Sequence, residues 1–153
     1  MGLPCPWAHR TLVVRALKGL EDVIPVSVAA PGIDGLWVFR EEVGSHGDVG
    51  LVPGKDNANG CKTLKEVYRL RPGGYEGRST VPMLWDVKRK EVVCNESYDI
   101  IQLLNSEFNE VAANPELDLE PPALKERIEE WNRIIYPNVN NGVYRYAQLT
   151  SAL

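Results

Sequence analysis

The sequence predicts an α/β layer followed by the start of an all-helical domain. Three observations carry that expectation. Helical and strand periodicities alternate over the first 108 residues. A proline-bearing acidic stretch then interrupts them, with Pro115, Pro121 and Pro122. Beyond it comes a well-marked amphipathic helix. The 153 residues suit one ordinary domain, or a small domain and part of another. An apolar fraction of 44% with 25% charged residues is that of a globular chain and excludes wholesale disorder. A net charge of -4 argues against nucleic acid as partner. No apolar run reaches the roughly 20 residues that span a bilayer. Pro4, Pro6, His9 and Arg10 break up any signal-peptide core. Three cysteines, Cys5, Cys61 and Cys94, fit free thiols in a reducing compartment.

The elements follow in order. Pro6 to Lys18 reads as a helix: Leu12, Val13, Ala16, Leu17 and Leu20 share one face, Pro6 suits the first position and Gly19 the stop. Val23 to Val28 is β-rich but holds Pro25, so an edge strand is expected. Residues 29–61 read as a long loop anchored by Trp37 and Phe39. Leu64, Val67, Tyr68 and Leu70 predict a short helix, stopped by Arg71-Pro72-Gly73-Gly74. Val81 to Trp85 and Glu91 to Cys94 predict a hairpin. Ser97 is expected to cap a helix from Tyr98 to Asn105, with Ile100, Ile101 and Leu104 inward. In the last helix Leu124, Ile128, Trp131 and Ile135 form the apolar face, and Pro137 is expected to end it. That order is most of a thioredoxin-like layer, residues 1–109, then a linker, 110–122, then the beginning of a helical domain, 123–153.

Charge is uneven. Residues 1–20 carry +3, while residues 110–130 carry -5 and read as a solvated linker and helix face. The basic stretch surrounds Cys5, which precedes Pro6 at a helix start. Free N–H groups and a partial positive charge there favour a thiolate, and His9 and Arg10 are placed to add to it. Such a thiolate attacks sulfur; the alternative is an inert cap. Ala8 stands at the second position of a redox motif, so no local disulfide forms and a resolving thiol must come from outside. Pro82, at a strand start, is either an ordinary trans proline or a cis one. A cis bond would turn the Val81 backbone outward to pair with an extended peptide. Asn95-Glu96-Ser97 opens a helix, and either caps it or holds a carboxylate, with Glu96 pairing an amine. Together these places suit a short peptide with a thiol, a carboxylate and an amine. His46 reads as solvated, Cys61 and Cys94 as structural, and the glycines of 44–60 match no phosphate loop. Cys5 and His9 lack the further ligands a metal needs.

The run Cys5-Pro6-Trp7-Ala8-His9-Arg10-Thr11-Leu12, continuing Val14-Arg15-Ala16-Leu17-Lys18-Gly19-Leu20-Glu21-Asp22-Val23-Ile24, closely resembles the glutathionyl-hydroquinone reductases, the xi-class glutathione transferases. Val81-Pro82-Met83-Leu84-Trp85-Asp86, Asn95-Glu96-Ser97 and Val139-Asn140-Asn141-Gly142-Val143-Tyr144-Arg145 match further motifs in order, so the resemblance covers residues 3 to 146. Glutathione answers the description of the short peptide. The resemblance implies Cys5 as nucleophile and Tyr144 as a tyrosine facing it from the helical domain. Trp37 and Val81 would contact glutathione, and Glu96 and Ser97 would hold its γ-glutamyl end. It implies glutathione as co-substrate, no metal, glutathionyl-hydroquinone as substrate, and neither nucleic acid nor membrane as partner. A homodimer is implied for a complete protein, in the cytoplasm, or in an organelle if a targeting segment lies upstream. Omega-like or glutaredoxin-like deglutathionylation, or dehydroascorbate reduction, is the alternative chemistry. Two departures from the family stand out. Four residues before Cys5 cannot make the family's first strand of ~5–6 residues, which predicts an unfilled place in the sheet. The family's helical domain, with its hydroquinone pocket and further tyrosines, continues beyond Tyr144, whereas residues 146–153 leave the pattern. The expectation is therefore of a fragment, an incomplete gene model or a degenerate copy, with inactivity as the remaining alternative.

Overall fold

The computed structural model describes residues 1–40 and 51–150, with the side chains of residues 34 and 147–150 outside the description. His46 and the glycines of 44–50 therefore lie outside the described residues. The order is α1 (Pro6–Leu17), β1 (Ala30–Pro31), β2 (Trp37–Val38), α2 (Leu64–Arg69), β3 (Leu84–Asp86), β4 (Glu91–Cys94), α3 (Ser97–Ser106), α4 (Lys125–Ile135) and α5 (Asn141–Thr150). β1 and β2 form one antiparallel pair and β3 and β4 another, the second with an irregularity between Leu84 and Trp85.

Helix α1 starts at Pro6 with Cys5 as its cap, as the sequence predicts. Its buried face differs from the expected one. Ala8, Thr11 and Lys18 are buried, whereas Val13, Ala16 and Leu17 are exposed. The polar members of this face are accommodated because they have partners. The Thr11 hydroxyl donates to the Ala8 carbonyl at 2.8 Å. The Lys18 ammonium donates to Asn109 Oδ1 and the Leu117 carbonyl, both at 2.7 Å. This ties the end of α1 to the acidic linker.

No strand forms over residues 23–28. Pro25 removes a donor there. The backbone bonds nearby go elsewhere: Gly54 N–H to the Val28 carbonyl and Ala29 N–H to the Met1 carbonyl. Among the described residues no strand precedes Cys5. Between residues 23–27 and 82–87 opens a cavity of about 470 Å³, lined by Leu12, Ile24, Leu84, Ile100, Leu104 and Phe108 among others.

The two core clusters explain what holds the layer. Leu64, Tyr68 and Val81 pack with Cys5 and Ala8, and Leu20 packs with Ile100 and Leu104 of α3. Ile101 is only half-buried. Thr63 starts α2 with a capping box, its hydroxyl accepting from Glu66 N–H while Glu66 accepts from Thr63 N–H. The cap of α3 is Glu96, one residue earlier than expected, its carboxylate accepting from Tyr98 N–H at 3.3 Å.

Pro137 does not end the last helix. The chain widens into a π turn over Tyr136–Asn140 and continues as α5. The wider turn absorbs the missing proline N–H, with Asn141 N–H bonding the Tyr136 carbonyl. No helix among the described residues is long and apolar enough to cross a membrane.

Candidate active site around Cys5

Cys5 caps α1 in an extended conformation, and Pro6 follows in a position where its missing N–H costs nothing. The helix places the sulfur at its N-terminal end, buried to 5% exposure. Cys5 Sγ lies 3.6 Å from the Val81 carbonyl. It also lies 3.0 Å from the Tyr144 hydroxyl, which α5 brings back across the chain. The Val81–Pro82 bond is cis. Burial, followed by the bond to Cys5 and the Cys5 charge, pushes the Tyr144 phenol well above its ordinary range, with the Arg78 cation opposing. Tyr144 therefore keeps its proton and faces the sulfur in a pair where either group can donate.

The loop that carries Val81 is itself held. The buried Tyr68 donates its hydroxyl proton to the Thr80 carbonyl at 3.0 Å, and Asn95 donates to the Tyr68 oxygen at 3.2 Å. Trp37 packs against the cluster that contains Cys5 and Val81. Its ring lies so close over Gly2 that a Cβ there would meet it at 2.4 Å. The strand β2 thus sets an aromatic ring against the cluster that holds Cys5.

At the start of α3 stand Glu96, with its side chain mostly exposed, and Ser97, buried with its hydroxyl bonded by Arg10. The sequence places Arg10 beside the thiol; the structure turns it toward α3 instead, because Ser97 and Glu96 offer it acceptors. His9 is exposed. So Val81 and Tyr144 come together at the Cys5 sulfur, Trp37 packs against the cluster that holds Cys5, and Glu96 and Ser97 are tied to the same helix through Arg10.

Sequence reasoning missed Tyr68 and Arg78, and assigned Arg10 the wrong neighbour. These depend on contacts across the fold that no local spacing signals, although Tyr68 on the buried face of a predicted helix was a visible candidate. Among the described residues, no group of three or more His, Cys, Asp or Glu is placed to hold a metal ion.

The arrangement is a single thiol at a helix N-terminus, beside a cis-proline loop. Residues 4–107 match the family model described as glutathione S-transferase, N-terminal domain, and the chain belongs to the glutathione transferase family. Glutathionyl-hydroquinone reductase PcpF of Sphingobium chlorophenolicum is 44% identical over 146 residues, covering 94% of this chain and 44% of that protein. Glutathione S-transferase omega-like 2 of Schizosaccharomyces pombe is 44% identical over 153 residues, covering 97% of this chain and 46% of its own length. The xi-class transferase of Natrialba magadii superposes with a TM-score of 0.81 at 39% identity, over 95% of this chain and 42% of that one. The glutathione-bound structure of YqjG from Escherichia coli superposes at 0.79 with 42% identity, over 94% and 44%. The chain thus spans somewhat less than half the length of the curated relatives named here.

Proposed function

We propose that this chain is a glutathione-dependent thiol transferase that reduces glutathionyl-hydroquinones to hydroquinones through a Cys5–glutathione mixed disulfide. The observation that carries the reading is Cys5 Sγ at the start of α1, within 3.6 Å of the Val81 carbonyl and 3.0 Å of the Tyr144 hydroxyl. The Cys5 thiolate attacks the sulfur of the aryl thioether. A sulfur–sulfur bond forms, the sulfur–carbon bond breaks, and its electron pair goes to the ring carbon, which takes up a proton. Hydroquinone leaves. The thiolate of free glutathione then attacks the glutathionyl sulfur and leaves as glutathione disulfide, restoring Cys5. With Ala8 at the second redox position, the path needs one protein thiol.

Each site residue has a physical task in this reading. Val81 pairs its backbone with the cysteinyl part of glutathione, as an added strand would. Ser97 binds the γ-glutamyl carboxylate and Glu96 its amine. Trp37 walls the sulfur, and Tyr144 donates to the thiolate. Residues 1–109 form the glutathione-binding unit, 110–122 the linker and 123–153 the beginning of the helical domain. A cytoplasmic homodimer without metal completes the reading.

Omega-like deglutathionylation is the second reading, favoured by the name of the fission yeast relative. One experiment addresses both. The chain is assayed with glutathione for release of menadiol from glutathionyl-menadiol, and separately with a glutathione mixed disulfide and with dehydroascorbate. Menadiol release that disappears in Cys5→Ser supports the first reading. Turnover confined to the mixed disulfide or dehydroascorbate supports the second. Turnover of none would leave a chain that does not catalyse by itself.

A further inference from the structure

Arg10 lies on α1 about 7.5 Å of helix rise beyond Cys5, yet its guanidinium serves the other end of the site. Its Nε–H donates to Ser97 Oγ at 3.1 Å and an Nη2–H donates to the same oxygen at 2.7 Å. A hydroxyl oxygen has two lone pairs, so both are occupied. The Ser97 proton must then point away from Arg10. The acceptor nearest to it in the protein is Glu96 Oε1, at a long 3.4 Å. The guanidinium is itself fixed, 4.8 Å from the Trp7 ring centroid and 5.6 Å from that of Tyr98. Arg10 Nη2 also lies 3.9 Å from Glu96 Oε1.

We infer that Arg10 is a positioning residue for the γ-glutamyl group: it locks the Ser97 hydroxyl as an outward donor and sets a fixed positive charge behind it for the ligand's α-carboxylate. The inference rests on the reading that Ser97 holds glutathione. The planar fork matters to it, because one rigid group supplies both of the N–H donors that the Ser97 oxygen accepts. A lysine at position 10 would keep the charge and lose the orientation. The ligand selected is one that carries an amino-acid carboxylate at its γ-glutamyl end, as distinct from a plain dipeptide thiol.

The test measures glutathione and cysteinylglycine binding by calorimetry, and alkylation of Cys5 by iodoacetamide, for Arg10→Gln, Arg10→Lys, Ser97→Ala and the Arg10→Gln/Ser97→Ala pair. Arg10→Gln should weaken glutathione about tenfold, in the range of a charge-assisted bond. Cysteinylglycine binding and Cys5 alkylation should stay within about twofold, well inside that bond's range. The pair should lose more than Ser97→Ala alone but less than the sum of the two single losses. Should Arg10→Gln not fold, Arg10→Lys, which keeps the stem and the charge between the two rings, reads the same selectivity. Additive losses in the pair, or a matching fall in Cys5 alkylation, would overturn the inference while leaving Ser97 as a ligand residue. Unchanged glutathione binding in Ser97→Ala, or none by the unmutated chain, would remove the reading beneath it, and the inference with it.

Discussion

Tyr144 keeps its proton because burial and the neighbouring sulfur both favour the neutral phenol. Its hydroxyl faces the Cys5 sulfur 3.0 Å away, and in the proposed reaction, where Cys5 attacks as a thiolate, that contact is a charge-assisted bond. Tyr144→Phe removes that bond, and alkylation of Cys5 by iodoacetamide at neutral pH should slow about tenfold. Cys61 serves as the internal reference: burial, then the Asp56 and Glu66 charges, push its thiol up, so it should lag at the same pH and ignore the substitution. An unchanged Cys5 rate would show that the hydroxyl does nothing for the thiolate. Cys5 itself was legible in the sequence, since a cysteine before a proline at a helix start has a local geometry. Arg10 was only half legible. Its charge and its place on α1 could be read, but its partner Ser97 lies 87 residues away and belongs to tertiary structure.

At the scale of elements, α1 shows why apolar spacing alone misread a face. Of the expected stripe Leu12, Val13, Ala16, Leu17 and Leu20, only Leu20 is buried, while Ala8 is buried and Thr11 and Lys18 join it because both are hydrogen-bonded. Lys18→Met should cost about 3 kcal/mol, since it leaves the Asn109 and Leu117 oxygens without their donor. The shift of the urea midpoint measures it, and a neutral result would mean that the linker does not need this anchor. The linker is also sensitive to acid. The Asn105 side chain, then the Glu120 N–H, hold the Asp118 carboxyl below its ordinary 3.8. A carboxyl lowered on folding contributes stability above its unfolded value, and that contribution is lost as pH falls through the lower folded value. Protection of the Glu120 amide should accordingly be flat above pH 4 and drop below it, and Asp118→Asn should abolish the step. The α3 cap was misplaced by one residue because Glu96 and Ser97 both carry capping oxygens and only the tertiary bond from Arg10 removes Ser97 from that task. Pro137 misled for a different reason: a wider helical turn absorbs a proline, and no local rule announces it.

For the molecule as a whole, the helical segment after the linker leaves apolar surface uncovered. Trp131 is 58% exposed, and Ile134, Val139 and Val143 are exposed beside it in sequence. Of the apolar face expected from the sequence, Leu124, Trp131 and Ile135 are exposed and Ile128 is half-buried. The chain should bind an apolar fluorescent dye in its folded state, and Trp131→Gln with Ile134→Gln should weaken the signal without lowering the urea midpoint. Equal dye binding would place the exposed surface at the cavity beside residues 82–87 instead. The same segment reaches the site where Trp7 stacks on Tyr136, ring centroids 4.7 Å apart, and where Tyr144 meets Cys5. Tyr136 opens the π turn and α5 follows it without a break, so the ring against Trp7 and the hydroxyl beside Cys5 lie on one continuous helical run. A single stretch of backbone thus ties the helical part of the chain to both Cys5 and Trp7, two positions apart at the start of α1.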